Sequence, residues 1–205
     1  MELRCFTVGP MQVNCYFVWD EKTKEAFVID PGDNGTEIAE KLNELGLHCH
    51  AILLTHGHFD HILGVKQFVE KTGAPIWAGC NEAGLLGDSD ANVSARIRRP
   101  VEIKCDRLIK DMERVTVDGL SFVCIFTPGH TKGSVCYYFD KEGILFCGDT
   151  LFQNGVGRTD LPTGDSGELY SSIEHKLLTL PINTKCYPGH GGATDIESES
   201  RNFGH

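Results

Sequence analysis

The sequence predicts a mixed α/β fold, and three observations carry that prediction. Apolar runs of strand length recur along the chain, segments of helical period are interleaved with them, and the connections are rich in Gly, Pro and Asp. No tandem repeat, low-complexity tract or Gly/Ser linker divides the 205 residues, so a single domain over residues 1–205 with a substantial core is expected.

Strand-like runs open the chain at residues 3–8, 15–19 and 26–29, the last ending at Asp30-Pro31-Gly32. A helix is expected over 36–45, with Ile38, Leu42 and Leu45 on one face and Gly46 as its stop. The run Ala51-Ile52-Leu53-Leu54 reads as a buried strand. Ile62, Val65, Phe68 and Val69 then recur at helical spacing up to about residue 72, and a strand is expected over 75–78. Residues 79–100 are polar and small, without a clear period, and read as an irregular or partly helical excursion. Strands resume at 114–117, 120–126, 134–139 and 144–146, with Asp118-Gly119 and Lys141-Glu142-Gly143 as hairpin turns. A final helix over 166–178 precedes a short strand at 185–187.

Composition narrows the function classes. A formal net charge of −10 argues against a broad nucleic-acid footprint, which needs clustered Lys and Arg. The one basic cluster, Arg96-Ile97-Arg98-Arg99, reads either as a solvated segment or as the rim of an anionic substrate pocket. No long apolar run and no basic-then-apolar leader is present, so a cytoplasmic protein without membrane contact is expected. The nine cysteines are odd in number and form no C-x-x-C pair, so reduced thiols are expected, with Cys5, Cys15, Cys124, Cys136, Cys147 and Cys186 as small buried hydrophobes in strands. His48-Cys49-His50 has metal-binding side chains, but alternation along a strand sends Cys49 to the opposite face from the two histidines.

Chemistry concentrates in His56-Gly57-His58-Phe59-Asp60-His61, four metal-binding side chains between a buried strand and a helix. Imidazole and carboxylate without thiolate suit zinc, non-haem iron or manganese, with open coordination positions, rather than a structural thiolate site. Three further loops each place a ligand type just past a strand: Thr127-Pro128-Gly129-His130-Thr131, Gly148-Asp149-Thr150 and Tyr187-Pro188-Gly189-His190-Gly191. Gly and Pro permit the tight turns such a site needs, and loops at one end of packed sheets converge.

The series His56-x-His58-x-Asp60-His61, His130, Asp149, His190 resembles the metallo-β-lactamase-fold hydrolases. The resemblance extends to Asn14, Ile29-Asp30-Pro31-Gly32, Gly148-Asp149-Thr150-Leu151-Phe152 and Gly157-Arg158-Thr159-Asp160, and so spans nearly the whole chain. Within that superfamily the chain looks like the compact bacterial members of the glyoxalase II group. The resemblance implies a four-layer αββα sandwich with two metal ions, most simply zinc, at one edge. It implies that His56, His58 and His130 hold one ion, that Asp60, His61 and His190 hold the other, and that Asp149 bridges them around a metal-activated water. Asp30 is implied behind the site, orienting a ligand histidine or capping its own turn.

A metal-activated water needs no Ser or Cys nucleophile. No general acid with its own motif is evident, which suits a thiolate leaving group and favours a small thioester such as an acyl-glutathione. Full-length glyoxalase II proteins carry a helical C-terminal domain that contributes to glutathione binding, and no such domain is expected here. The loop Gly155-Val156-Gly157-Arg158-Thr159-Asp160-Leu161 also departs from the glutathione-specific continuation. Arg158 reads either as a contact to an anionic end of the substrate or as a loop anchor. Gly157-Arg158-Thr159-Asp160, Gly164-Asp165 and Leu169-Tyr170-x-Ser172 also resemble the persulfide dioxygenases of this superfamily, in which a single iron would sit on His56, His130 and Asp149. A metal-binding module without catalysis is the third reading, disfavoured because every ligand position is filled.

Overall fold

The computed structural model describes residues 1–204. In chain order the elements are β1 (Glu2–Val8), β2 (Val13–Trp19), β3 (Glu25–Ile29), α1 (Gly35–Glu44), β4 (His48–Leu54), α2 (Phe59–Ile62), α3 (Val65–Thr72) and β5 (Ile76–Gly79). A 3-10 turn, Cys80–Glu82, leads into α4 (Ala83–Leu86). Then come β6 (Arg107–Ile109), β7 (Arg114–Val117), β8 (Leu120–Phe126), β9 (Val135–Phe139), β10 (Ile144–Gly148), β11 (Leu151–Phe152) and β12 (Gly155–Val156). The chain closes with α5 (Ser166–Ser172), a π-helical turn Ile173–Leu177, β13 (Lys185–Pro188), β14 (Thr194–Asp195) and α6 (Ile196–Asn202).

Two six-stranded sheets result, one in the order β1-β2-β3-β4-β5-β6 and the other β14-β13-β10-β9-β8-β7. Three apolar clusters define the layers. Phe27, Leu53, Phe122, Tyr137, Phe139 and Phe146 interdigitate between the sheets. Ile38, Leu42, Val65 and Phe68 pack α1 and α3 on the outer face of the first sheet, while Leu169, Ile173 and Ile196 pack α5 and α6 on the outer face of the second. Period-2 alternation sends successive strand residues into different clusters, as Phe17 and Val18 show. The four-layer αββα sandwich is therefore built by the strands' own side-chain pattern.

Topology brings the strand ends of interest to one edge. Strands β3 and β4 are parallel neighbours, so Asp30 and His56 leave the first sheet side by side. Strands β10 and β13 are parallel neighbours in the second sheet, so Asp149 and His190 emerge together. Strand β8 runs antiparallel to β9, which runs antiparallel to β10, so the His130 loop emerges at that edge too. The sheets are stitched there by Asn14 N–H donating to Gly189 O at 2.7 Å.

Several elements depart from expectation for identifiable reasons. The helix after the histidine motif is broken into α2 and α3, where the Gly64 N–H donates to Gly32 O instead of continuing the helical ladder; the approach is close enough that a Cβ at Gly64 would lie 2.9 Å from Gly35 N and 3.1 Å from Pro31 O. The last helix changes to a π-helical turn at Ile173, and β6, β11, β12, β14 and α6 are additional to the expected set. Each additional strand is two or three residues long, too short for a period to register. Cys5 is exposed on the edge strand β1, contrary to expectation, whereas Cys15, Cys124, Cys136, Cys147 and Cys186 are buried; all nine thiols are free. Asp118 (φ 39°) and Gly119 (φ 95°) form the tight β7–β8 turn, the left-handed pair that a two-residue hairpin requires.

Candidate metal centre

The centre is assembled from strand ends. Leu54 ends β4, Thr55-His56-Gly57-His58 forms the loop, and α2 then carries Asp60 and His61. One nitrogen from each of His56, His58 and His130 lies within 4.8 Å of the others, and ligand atoms of Asp60, His61 and His190 form a second such trio. Asp149 stands between the trios. Its Oδ2 is 3.7 Å from His130 Nε2 and 3.6 Å from His190 Nε2, and its Oδ1 is 3.4 Å from His61 Nε2. All seven residues named from the sequence are brought together.

Donor chemistry fits metal ions. Among the described residues four buried side-chain polar atoms lack a hydrogen-bond partner, and three of the four, His58 Nε2, His61 Nε2 and Asp149 Oδ1, lie in this cluster. Buried polar atoms are normally satisfied, so orphans gathered at one point mark a missing cationic partner. Burial, reinforced by His61, His130 and His58, pushes the His56 imidazole well below the usual histidine range. Burial and then His130 push His58 down to about 3, so both stay neutral and have lone pairs free. At His61 burial opposes charge, yet the carboxylates of Asp149, Asp60 and Asp30 overcome it and raise the pKa well above the ordinary value. Burial would raise Asp149 as well, but His61 and His130 hold it well below the carboxylate range. The cluster thus draws positive charge onto its centre.

Outer contacts orient these ligands. Asp30, in the left-handed region at φ 47°, accepts from Thr55 N at 2.8 Å and Thr55 Oγ at 2.6 Å, and its Oδ2 lies 3.0 Å from His61 Nδ1. Of its two sequence readings, contact with a ligand histidine is present. Thr55 Oγ also lies 3.1 Å from His56 Nδ1. The Nδ1 of His130 meets the backbone carbonyl of Arg158 at 2.7 Å, while the Arg158 guanidinium is exposed and forms two 2.7 Å bonds to Asp160. Arg158 therefore touches the cluster through its backbone, although its side chain also borders the cleft. Of the basic cluster, Arg99 is bound to Asp33. Gly189 is required because a Cβ there would collide with Asp149 Oδ1 and His61 Cε1.

Glu82 carried no signal in the sequence, being one acidic residue in an irregular stretch. It is buried, accepting from Gly57 N at 2.7 Å and Thr131 Oγ at 2.8 Å, so it ties the His56/His58 loop to the His130 loop. Burial pushes its carboxyl up to about 7, against the opposing hydrogen bonds from Thr131, Gly57 and Gly133. On the opposite side, Asn14 Nδ2 donates to Pro188 O and Gly191 O, and Tyr16 OH to Pro188 O, fixing the His190 loop.

A cleft of about 380 Å³ opens over the cluster, lined by His58, Asp60, His130, Asp149, Arg158 and His190 together with Met11, Phe59, Phe152 and Leu161. Residues 8–190 match the family model of the metallo-beta-lactamase superfamily. The chain belongs to that superfamily. This member is 40% identical over 202 residues to the probable metallo-hydrolase YqgX of Bacillus subtilis, across 97% of this chain and 94% of the relative. It is 35% identical over 207 residues to the hydroxyacylglutathione hydrolase GloC of Haemophilus influenzae, across 98% and 96%. Among solved structures it superposes on the BLEG-1 B3 metallo-beta-lactamase with a TM-score of 0.92 at 38% identity, covering 98% of this chain and 97% of that one. On TTHA1623 in a di-iron-bound form the TM-score is 0.86 at 34% identity, with 97% and 98% covered. Membership and the ligand cluster together make the chain a metallo-hydrolase of this superfamily.

Proposed function

We propose that the protein hydrolyses a small thioester, with His56, His58 and His130 holding one zinc ion, Asp60, His61 and His190 the other, and Asp149 bridging. The observation that carries this reading is the pair of ligand trios joined by Asp149 beneath a cleft that offers no other nucleophile. Two divalent ions held by these residues would supply a water of lowered pKa and a Lewis acid for the substrate carbonyl. The lining of the cleft contains no Ser, Cys, Thr or Lys side chain. The nearby thiols do not substitute, since burial pushes Cys136 up to about 11 and Cys147 well above its ordinary value.

The leaving group follows from the same inventory. Water adds to the acyl carbon, the C–S bond breaks, the thiolate departs and the acid is released as its carboxylate; both protons of the water are released, and one of them returns to the free thiolate in solution. A thiolate leaves at neutral pH without protonation, whereas an alkoxide or amine needs an acid. The histidines that line the cleft, His58, His130 and His190, are all assigned as metal ligands and the guanidinium of Arg158 is paired with Asp160, so none of them supplies a mobile proton. Thr55, Asp30 and the Arg158 carbonyl hold the imidazoles in their ligating orientation. Phe59, Phe152 and Leu161 supply apolar lining to the cleft beside the ligands. The name of the Haemophilus relative, a hydroxyacylglutathione hydrolase, supports the same reaction class. The di-iron-bound form of TTHA1623 supports iron as the competing metal.

The test is elemental analysis of protein purified without added metal, with thiol release from lactoylglutathione and oxygen uptake on glutathione persulfide measured on the same sample. About two ions per chain with thiol release is the expected result. One iron with oxygen uptake and no thiol release overturns the proposal in favour of dioxygenation.

A further inference from the structure

Beside the metal cleft lies a second cavity of about 220 Å³, walled by Val8, Met11, Val13, Phe59, Leu63 and Ile97. Its charged borders are Asp60, which belongs to the metal cluster, and Asp33 and Arg99, which satisfy one another through bonds of 2.6 and 2.9 Å, so neither of that pair presents a free charge to an occupant. This ion pair also fastens the irregular excursion, which carries Ile97, to the loop that follows Asp30. Met11, Phe59 and Asp60 line both cavities, so the apolar chamber adjoins the metal cleft at the Asp60 carboxylate.

We propose that this chamber receives the acyl chain of the substrate and that the chain is aliphatic, an inference that takes the word acyl from the thioester reading above. A carbonyl placed over the ligand cluster has two directions in which to extend. Towards Arg158 and Leu161 the cleft is open and polar at its rim, which suits a charged thiol component. Towards Met11 and Ile97 it is apolar, and a charged peptide end buried there would lose its water without gaining a partner. An unbranched hydrocarbon chain makes no such demand. Each methylene buried in the chamber is expected to improve binding by about fourfold until the space is filled.

Met11 is 52% exposed and Ile97 39% exposed, so Met11→Ser and Ile97→Ser alter the chamber without touching the core. The experiment measures calorimetric affinities of acetate, butyrate and hexanoate, the product class, for the metal-loaded protein, alongside kcat/KM for the matching S-acyl glutathiones. The expected result is affinity that tightens by about fourfold per methylene and a slope that collapses in the double variant, with kcat/KM following the same gradient. Equal affinity along the series, or a slope unchanged in the double variant, overturns the proposal. Graded carboxylate binding without thiol release from any thioester supports the chamber and removes the thioester reading instead.

Discussion

Asp30 Oδ2 lies 3.0 Å from Nδ1 of His61, whose Nε2 faces Asp60 and Asp149 inside the cluster. A carboxylate there holds the proton on Nδ1 and leaves Nε2 free to bind metal. Asp30→Asn tolerates the left-handed backbone, but its amide N–H2 faces Nδ1 and drives the proton to Nε2. The expected outcome is metal affinity weakened by about 10- to 100-fold in a chelator competition. Wild-type affinity in this variant would show that Asp30 does not set the tautomer.

Asp149 approaches histidines of both trios, with its carboxylate oxygens 3.7 Å from His130 Nε2, 3.4 Å from His61 Nε2 and 3.6 Å from His190 Nε2. Asp149→Ala is therefore expected to lose most of both ions and nearly all turnover. His175→Ala, on the exposed side of the π-helical turn, is expected to lose neither. Elemental analysis of the two variants purified in parallel makes the comparison, and two retained ions in the Asp149 variant would dismiss a bridging role.

Arg158 meets the cluster through its carbonyl, not its guanidinium. Arg158→Ala keeps that carbonyl, so metal content and the thermal midpoint should match the wild type. Metal loss in the variant would mean that the Asp160 pair, rather than the backbone, maintains the loop.

Glu82 makes a pH-dependent contribution whose sign is determined by its environment. Burial raises the folded-state carboxyl from an ordinary value near 4.5 to about 7, so the folded protein binds this proton more tightly than the unfolded chain. The associated stability is fully present below about 4.5 and is lost as pH rises to about 7, on the order of 3 kcal/mol at most. Glu82→Gln removes the titration. Urea midpoints from pH 4.5 to 7.5 should fall less steeply for the variant than for the wild type, and parallel curves would contradict the assignment.

Much of the architecture was legible because its causes are local. The run Ala51 to Leu54 is a strand and Ile38 and Leu42 lie on a buried helical face, as their spacing requires. Asp118-Gly119 is a two-residue turn because those residue types accept positive φ. The break at Gly64 was not legible, since it arises from contact with the Pro31–Gly35 backbone, thirty residues earlier. Glu82 was equally silent, its meaning lying wholly in Gly57 and Thr131.

The sequence by itself determined the donor set: seven histidines and aspartates, each just past an apolar run and each without a thiolate partner, a chemistry suited to zinc or iron wherever the loops meet. Only the tertiary structure decided which donors share a centre. His56 and His130 are 74 residues apart, yet their Nε2 atoms lie 3.2 Å from one another because parallel and antiparallel pairing delivers both strand ends to one edge. The aliphatic chamber is likewise a product of packing. Its walls come from the β1–β2 turn, α2 and its following residue, and an excursion held by Arg99 and Asp33, segments that have no common period to read.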